Sequence, residues 1–286
     1  MVGELKQGGI ELDWNYVVLG LIQGATEFLP VSSSGHLLLF ERVLLPDMGA
    51  DTALAVNVLL HMGTLFAILL YFKQPLFQYL KEGFSWLRKP ARSGNETQKE
   101  ILWILVLSVP TAAIGLALKK GGIGEISPNM VLVALGLTGL LCIATDYLPK
   151  RDAKLNLWRS LFLGVVQGVA VIPGISRSGS TIFAGLLGGI SREKMASFSF
   201  LMSIPAIFGA FFLESLELYT KGFSGLNVWS VLPGILVAFF SGYLALGILI
   251  RLLKRHYFRI FGVYCLLLSI FGKELLALGN PGSVTG

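Results

Sequence analysis

Charge is scarce in this chain. Of its 286 residues only 14% are Asp, Glu, Lys or Arg, against about 25% in an ordinary soluble domain. A soluble globule of this size could not cover its surface with so few charges, and a disordered chain would be far more polar. Cysteine is nearly absent. The two present, Cys142 and Cys265, both lie in apolar runs, so neither a disulfide framework nor a zinc site is expected. Residues 1–13 lack a basic start followed by an apolar core, so no cleaved signal peptide is expected. A nucleic-acid partner is excluded as well, despite a pI of about 9.3. The 23 Lys+Arg outnumber the 17 Asp+Glu, but they sit in short loops between apolar runs, as in multi-spanning membrane proteins.

What is abundant is apolar sequence, at 54% of residues and a mean hydropathy of +0.72. A helix needs roughly 20 apolar residues to cross a bilayer core. Six runs meet that need, at about 52–72, 101–118, 130–148, 196–213, 228–250 and 258–278. Two further stretches, about 15–45 and 159–190, are broken near the middle by Pro, Gly and Ser, at 30–35 and 173–179. Non-helical backbone at membrane depth is tolerated only inside protein or beside a water-filled cavity. The expectation is therefore an all-α integral membrane protein, with six transmembrane helices plus two re-entrant helical hairpins.

Basic residues orient this arrangement. With loop 73–100 placed inside, sixteen Lys/Arg fall inside and six outside, and Arg177 lies within the membrane. Lys6, Arg42, Lys119, Lys120, Lys221 and Lys273 are the outside six, while Lys89 and Arg92 belong to the inside set. The bias supports hairpins that return to their own side, with both termini outside.

The two broken stretches also resemble each other. At a shift of 144 residues Gly20, Gln23, Gly24, Ser32, Ser34 and Gly35 fall on Gly164, Gln167, Gly168, Ser176, Ser178 and Gly179. The chain reads as a single membrane domain, 1–286, with repeat one at about 15–148 and repeat two at about 159–278. Each repeat is one hairpin and three spans, so the second is inverted relative to the first. Inverted repeats commonly place a binding site near the midplane, where broken helices meet.

Ionisable groups at membrane depth are costly and usually functional. Arg177 stands among Ser176, Ser178, Ser180 and Thr181, a set of donors suited to a phosphate. An ion pair with Glu27 is its purely structural alternative. Gln23 and Glu27, four residues apart, share a helix face. Their oxygens suit a hard divalent cation that keeps water and phosphate ligands, or simply bond to each other. Serines 32–34 precede His36, which allows a nucleophile–base pair or a helix cap. His61, one turn after Asn57, reads first as an interhelical hydrogen-bonding group, with both lining the cavity as the alternative. Glu41, Arg42 and Asp146 fall at span ends and read as interfacial. Together these groups suit phosphate-ester or diphosphate hydrolysis. Spacing alone equally allows a transporter or flippase of an anionic lipid or solute.

The segment QGATEFLPVSSSGH at 23–36 and the segment PGISRSGST at 173–181 carry a family resemblance. They resemble the (E/Q)-x-x-x-E and P-G-x-S-R-S-x-x-T motifs of the bacterial undecaprenyl-diphosphate phosphatases of the bacitracin-resistance type, and the likeness covers essentially the whole chain. It implies an enzyme of the bacterial inner membrane that converts undecaprenyl diphosphate to undecaprenyl phosphate and phosphate. That reaction recycles the lipid carrier of cell-wall (peptidoglycan) synthesis and confers bacitracin resistance. It implies an active site facing the outer, periplasmic side and a dependence on Mg2+ or Ca2+, with Glu27 and Gln23 linked to the metal. Ser33 would be the nucleophile with His36 beside it, although a water activated by Glu27 or His36 stays open. Arg177 would be catalytic, and Gln23, Ser176, Ser178 and Thr181 would bind the diphosphate substrate. Expected partners are a polyprenyl diphosphate lipid and the bilayer; a homodimer is an open option. A type-2 phosphatidic-acid phosphatase is disfavoured, because the only histidine after the Ser-Arg motif is His256, in a basic loop.

Overall fold

A computed structural model describes residues 13–88, 95–122, 126–221 and 226–279. Lys6, Lys89, Arg92 and the amino-terminal segment read above as lacking a signal peptide lie outside the described residues, Asp13 apart. Among the described residues every regular element is a helix, and there are eleven. The first broken stretch forms α1 (Trp14–Phe28) and α2 (Ser33–Leu44), and the second forms α7 (Leu157–Val169) and α8 (Arg177–Leu187). At 1.5 Å per residue none of these four reaches the ~30 Å of a hydrocarbon core.

The long helices are α3 (Ala50–Tyr71), α5 (Glu96–Lys120), α6 (Pro128–Tyr147), α9 (Arg192–Lys221) and α10 (Val228–Lys254). These five are long and apolar enough to cross a membrane. The sixth apolar run forms α11 (Arg259–Gly279), of 21 residues. Outward-facing side chains such as Val133, Phe240 and Ile270 are large, apolar and exposed, which in a chain this poor in charge marks a lipid-facing surface. One element was not expected: the basic loop after α3 contains a 16-residue helix, α4 (Lys73–Arg88).

Prolines and serines decide where the short helices break. Ser32 caps α2 from the left-handed region, at φ 69°, and its Oγ accepts the Gly35 N–H. Ser176 caps α8 from extended backbone, accepting the Gly179 N–H at 3.1 Å. The two breaks touch: Ser32 Oγ also accepts the Gly174 N–H at 3.1 Å. Thr138 on α6 donates to the Gly174 carbonyl at 2.8 Å and accepts the Ser176 N–H at 2.9 Å. The thiols of Cys142 and Cys265, free and buried, both donate to the Pro30 carbonyl. They act as weak donors for a backbone group that helix interruption orphans.

Asp146, at the end of α6, turns its carboxylate inward. Its carboxylate accepts the Phe258 and Arg259 N–H groups at 3.2 and 2.9 Å, capping α11 from the end of α6. Arg192 stands 4.0 Å from the same carboxylate and donates to the Thr145 carbonyl. Asp146→Ala removes the acceptor for both N–H groups and leaves a buried cation unpaired. It should destabilise the protein by about 2–4 kcal/mol, read as a lower unfolding midpoint in detergent. An unchanged midpoint would show that this cap contributes nothing.

Candidate active site

The site is built where the two helix breaks meet. Glu27, in the last turn of α1, has a side chain only 1% exposed. One of its oxygens, Oε1, accepts from Arg177 Nη2 at 2.7 Å. The other, Oε2, accepts from Ser33 Oγ at 2.6 Å and from Gln23 Nε2 at 3.1 Å. His61 on α3 brings Nε2 to 3.7 Å of Oε2, and its Nδ1 contacts the Asn57 carbonyl at 2.7 Å. The buried carboxylate is thus bonded by a guanidinium and two donors, as a buried polar group must be.

Ser33 is the first residue of α2 and Arg177 the first of α8. Both side chains therefore lie at helix amino termini, where free N–H groups and the helix dipole favour an anion. Arg177 has five N–H donors in a fixed fork, so a phosphate can bind beside Glu27. A small cavity of about 10 Å³ adjoins the pair, lined by Glu27, Phe28, Arg177, Ser178, Ser199 and Ser203 among others. Its lining mixes these polar side chains with Phe28, Phe200 and Ile207. A larger open groove lies elsewhere, around Tyr16, Asp47 and Thr52.

Not every expected residue takes the expected position. Glu27, Gln23, Ser33 and Arg177 are brought together. Ser176 and Ser178 stand 3.3 Å apart at the start of α8, with the Ser176 hydroxyl committed to its cap. Thr181 turns away, bonding the Arg177 carbonyl at 2.8 Å and the Ser199 hydroxyl at 2.7 Å. It fixes the first turn of α8 against α9 rather than facing the pocket. His36 is not brought to Ser33. Its Nδ1 meets the Ser32 carbonyl at 2.8 Å and its Nε2 the Tyr264 hydroxyl at 2.7 Å, with its ring stacked between Phe40 and Tyr264. Ser33 instead donates to Glu27, so the carboxylate is the base within reach. The histidine at the carboxylate is His61, which the sequence reading placed in a structural role.

Residues that sequence reasoning missed are Thr64, Ser199 and Ser203. Thr64 Oγ1 accepts from Gln23 Nε2 at 3.4 Å, and the serines line the pocket. Their one signal was helical spacing: Ser199 and Ser203 lie one turn apart, as do His61 and Thr64.

Among the described residues no group of three or more His, Cys, Asp and Glu side chains could hold a metal ion. Gln23 Oε1 is buried without a partner, one helical turn from the Glu27 carboxylate. Gln23 turns its Nε2 toward Glu27, so the amide and carboxylate oxygens could share one cation, with water and substrate phosphate as further ligands, only with the amide turned over.

This combination defines a class: a multi-pass, all-helical membrane protein with an anion-binding centre at two broken helices. Comparison with known proteins narrows the class. Residues 16–271 match the family model of the bacitracin resistance protein BacA, and the chain belongs to that family. Among its relatives, the undecaprenyl-diphosphatase of Desulfosudis oleivorans is 42% identical over 268 residues, covering 88% of this chain and 94% of the relative. The undecaprenyl-diphosphatase of Korarchaeum cryptofilum is 38% identical over 265 residues, covering 91% and 98%. That of Treponema denticola is 37% identical over 271 residues, covering 93% and 98%.

Proposed function

We propose that this chain hydrolyses undecaprenyl diphosphate to undecaprenyl phosphate and inorganic phosphate, returning the lipid carrier to cell-wall synthesis and conferring resistance to bacitracin. The observation that carries the reading is the Glu27 carboxylate bridging Arg177 and Ser33. It joins a base, a hydroxyl nucleophile and a phosphate-binding cation in one contact network.

The chemistry follows from those distances. The diphosphate seats its terminal phosphate against the Arg177 guanidinium and the amino termini of α2 and α8. The Ser33 hydroxyl, 2.6 Å from Glu27, gives its proton to that carboxylate as its oxygen attacks the terminal phosphorus. The phosphorus–oxygen bond to the lipid phosphate breaks, and undecaprenyl phosphate leaves. Water then releases phosphate from Ser33, with Glu27 again handling the proton. Direct attack by a Glu27-activated water is the alternative, and trapping of phosphoserine separates the two. Gln23 and Glu27 would hold a Mg2+ or Ca2+ ion, which when bound neutralises phosphate charge. His36 fixes the Ser32 backbone and so positions Ser33.

The membrane arrangement belongs to the same proposal: six spans, two re-entrant hairpins, and the first hairpin opening to the periplasmic side of the inner membrane. The charge bias supports it, as does a symmetry in packing. Repeat one's hairpin helix α1 packs on α10 of repeat two, while α7 packs on α5 of repeat one. The third spans, α6 and α11, pair with each other, and the first spans, α3 and α9, do likewise. An inverted repeat gives this exchange naturally. A long isoprenoid tail stays in the bilayer while the headgroup meets the breaks.

The test is phosphate release from undecaprenyl diphosphate by purified protein in detergent, with and without a chelator. Release without any gradient, lost on chelation and restored by Mg2+ or Ca2+, is expected. Folded protein that releases none, with metal and lipid present, would remove the hydrolase reading and leave transport of an anionic lipid.

A further inference from the structure

Helix α4 is amphipathic, and its apolar side does not face the protein. It contains no buried residue. At 100° per residue, Leu87, Leu80, Phe84 and Phe77 fall within an arc of about 80°. They are 81%, 73%, 57% and 71% exposed, respectively. On the side toward the protein Leu76 and Tyr79 pack against the core, and polar contacts add to them. Tyr79 donates to Glu100 at 2.5 Å, and Asn95 and Gln98 donate to Glu82 at 2.8 and 3.3 Å. A surface helix normally turns its apolar stripe inward. Here the stripe is left for something else to cover.

The flanks indicate what covers it. Lys81 and Arg88 lie at one edge of the apolar arc, and Lys73 lies within it at its first turn. The Arg88 guanidinium lies 4.3 Å from the Phe84 ring centre, so a cation already rests along the apolar face. The one acid of α4, Glu82, is on the protein side and is engaged there. α4 also follows α3 after the single residue Phe72, so it starts where a long apolar helix ends. An apolar stripe edged by cations, beginning at the end of a span, matches an interfacial helix in both geometry and charge.

We propose that α4 is an in-plane membrane anchor whose apolar arc enters the acyl boundary and whose Lys73, Lys81 and Arg88 bind anionic lipid headgroups. This goes beyond the phosphatase reading and does not depend on it. The anchor would set the depth at which α3, carrying His61 and Thr64, sits in the bilayer.

The test uses the full chain in liposomes, with an environment-sensitive fluorophore on Leu80→Cys or on Ser85→Cys. The native cysteines are buried, so labelling is directed to the introduced site. Quenchers are brominated phosphatidylglycerol, brominated phosphatidylcholine and aqueous iodide. The Leu80 probe is expected to lose most of its emission to brominated lipid and little to iodide, and the Ser85 probe to do the reverse. Phosphatidylglycerol should quench more strongly than phosphatidylcholine. A variant with Lys73, Lys81 and Arg88 all changed to Gln should lose that preference, by up to about fivefold per charge. A Leu80 probe reached by iodide would overturn the proposal. So would one shielded from both lipid and iodide, which would assign the stripe to a second copy or another protein. Equal quenching by the two lipids would overturn the anionic-lipid assignment.

Discussion

Arg177→Ala should abolish phosphate release, lowering kcat/KM by about 10³-fold or more. Removing a single preorganised donor to transition-state charge already costs 10²–10³, and a guanidinium aimed at a transferring phosphoryl group is worth more. The 2.7 Å contact with Glu27 adds a second consequence. Without Arg177 the Glu27 carboxylate, 1% exposed, loses its guanidinium partner. Breaking a buried pair from one side costs about 3–5 kcal/mol. Two further variants separate these effects. Arg177→Lys keeps the charge but not the planar fork, so it should recover much of the stability and little of the activity. Combining Arg177→Ala with Glu27→Gln removes the orphaned charge, so it should refold well and remain inactive. If the pair were merely structural, the double variant would recover turnover along with stability. Phosphate release within tenfold of wild type in either Ala variant would remove Arg177 from the chemistry.

The parts legible in sequence were those that lipid enforces. A bilayer demands long apolar runs and forbids unpaired backbone, so the long apolar helices and the two interruptions could be read from hydropathy and from Pro, Gly and Ser. The equivalence of Ser32 and Ser176 was also legible, and both cap their helices. Direction was not. His36 lies three residues after Ser33, close enough to suggest a pair. The left-handed backbone at Ser32 instead sets the start of α2 so that Ser33 faces Glu27 and His36 faces Tyr264. That turn depends on Gly174, 142 residues away, bonding to Ser32. The role of His61 likewise depends on how α3 is rotated against α1, which tertiary packing decides. The capping role of Asp146 was not legible because its partners lie 112 and 113 residues further on. Helix α4 was hidden for a different reason: its pattern is amphipathic, and its dense charge reads as a loop between spans.

Gly20→Ala and Gly164→Ala should each prevent the protein from assembling in a stable form. Both glycines lie where a short helix crosses a long one. A Cβ on Gly20 would overlap the Gly234 carbonyl on α10, and a Cβ on Gly164 would overlap the Leu107 carbonyl on α5. In each case the obstacle is backbone, which no rotamer change can move. The helices would have to separate, forfeiting the close contact that small residues allow between membrane helices. The cost should reach or exceed about 3 kcal/mol, the upper end for overpacked cores. Gly209, in α9, provides the control. A Cβ there meets nothing within 4 Å, so Gly209→Ala should stabilise by up to about 1 kcal/mol through helix propensity. The measurement is the fraction of monodisperse protein and its unfolding midpoint in one detergent. A Gly164→Ala protein as stable as wild type would mean that α7 and α5 do not pack at this distance. Function should fail along with assembly, because Glu27 stands about two turns beyond Gly20 on the same helix. Arg177 begins the helix that follows α7. A shift of about 1 Å between reacting groups can cost about 10² in rate. Any residual folded Gly20→Ala protein should therefore bind lipid but turn it over far more slowly than the Gly209→Ala control.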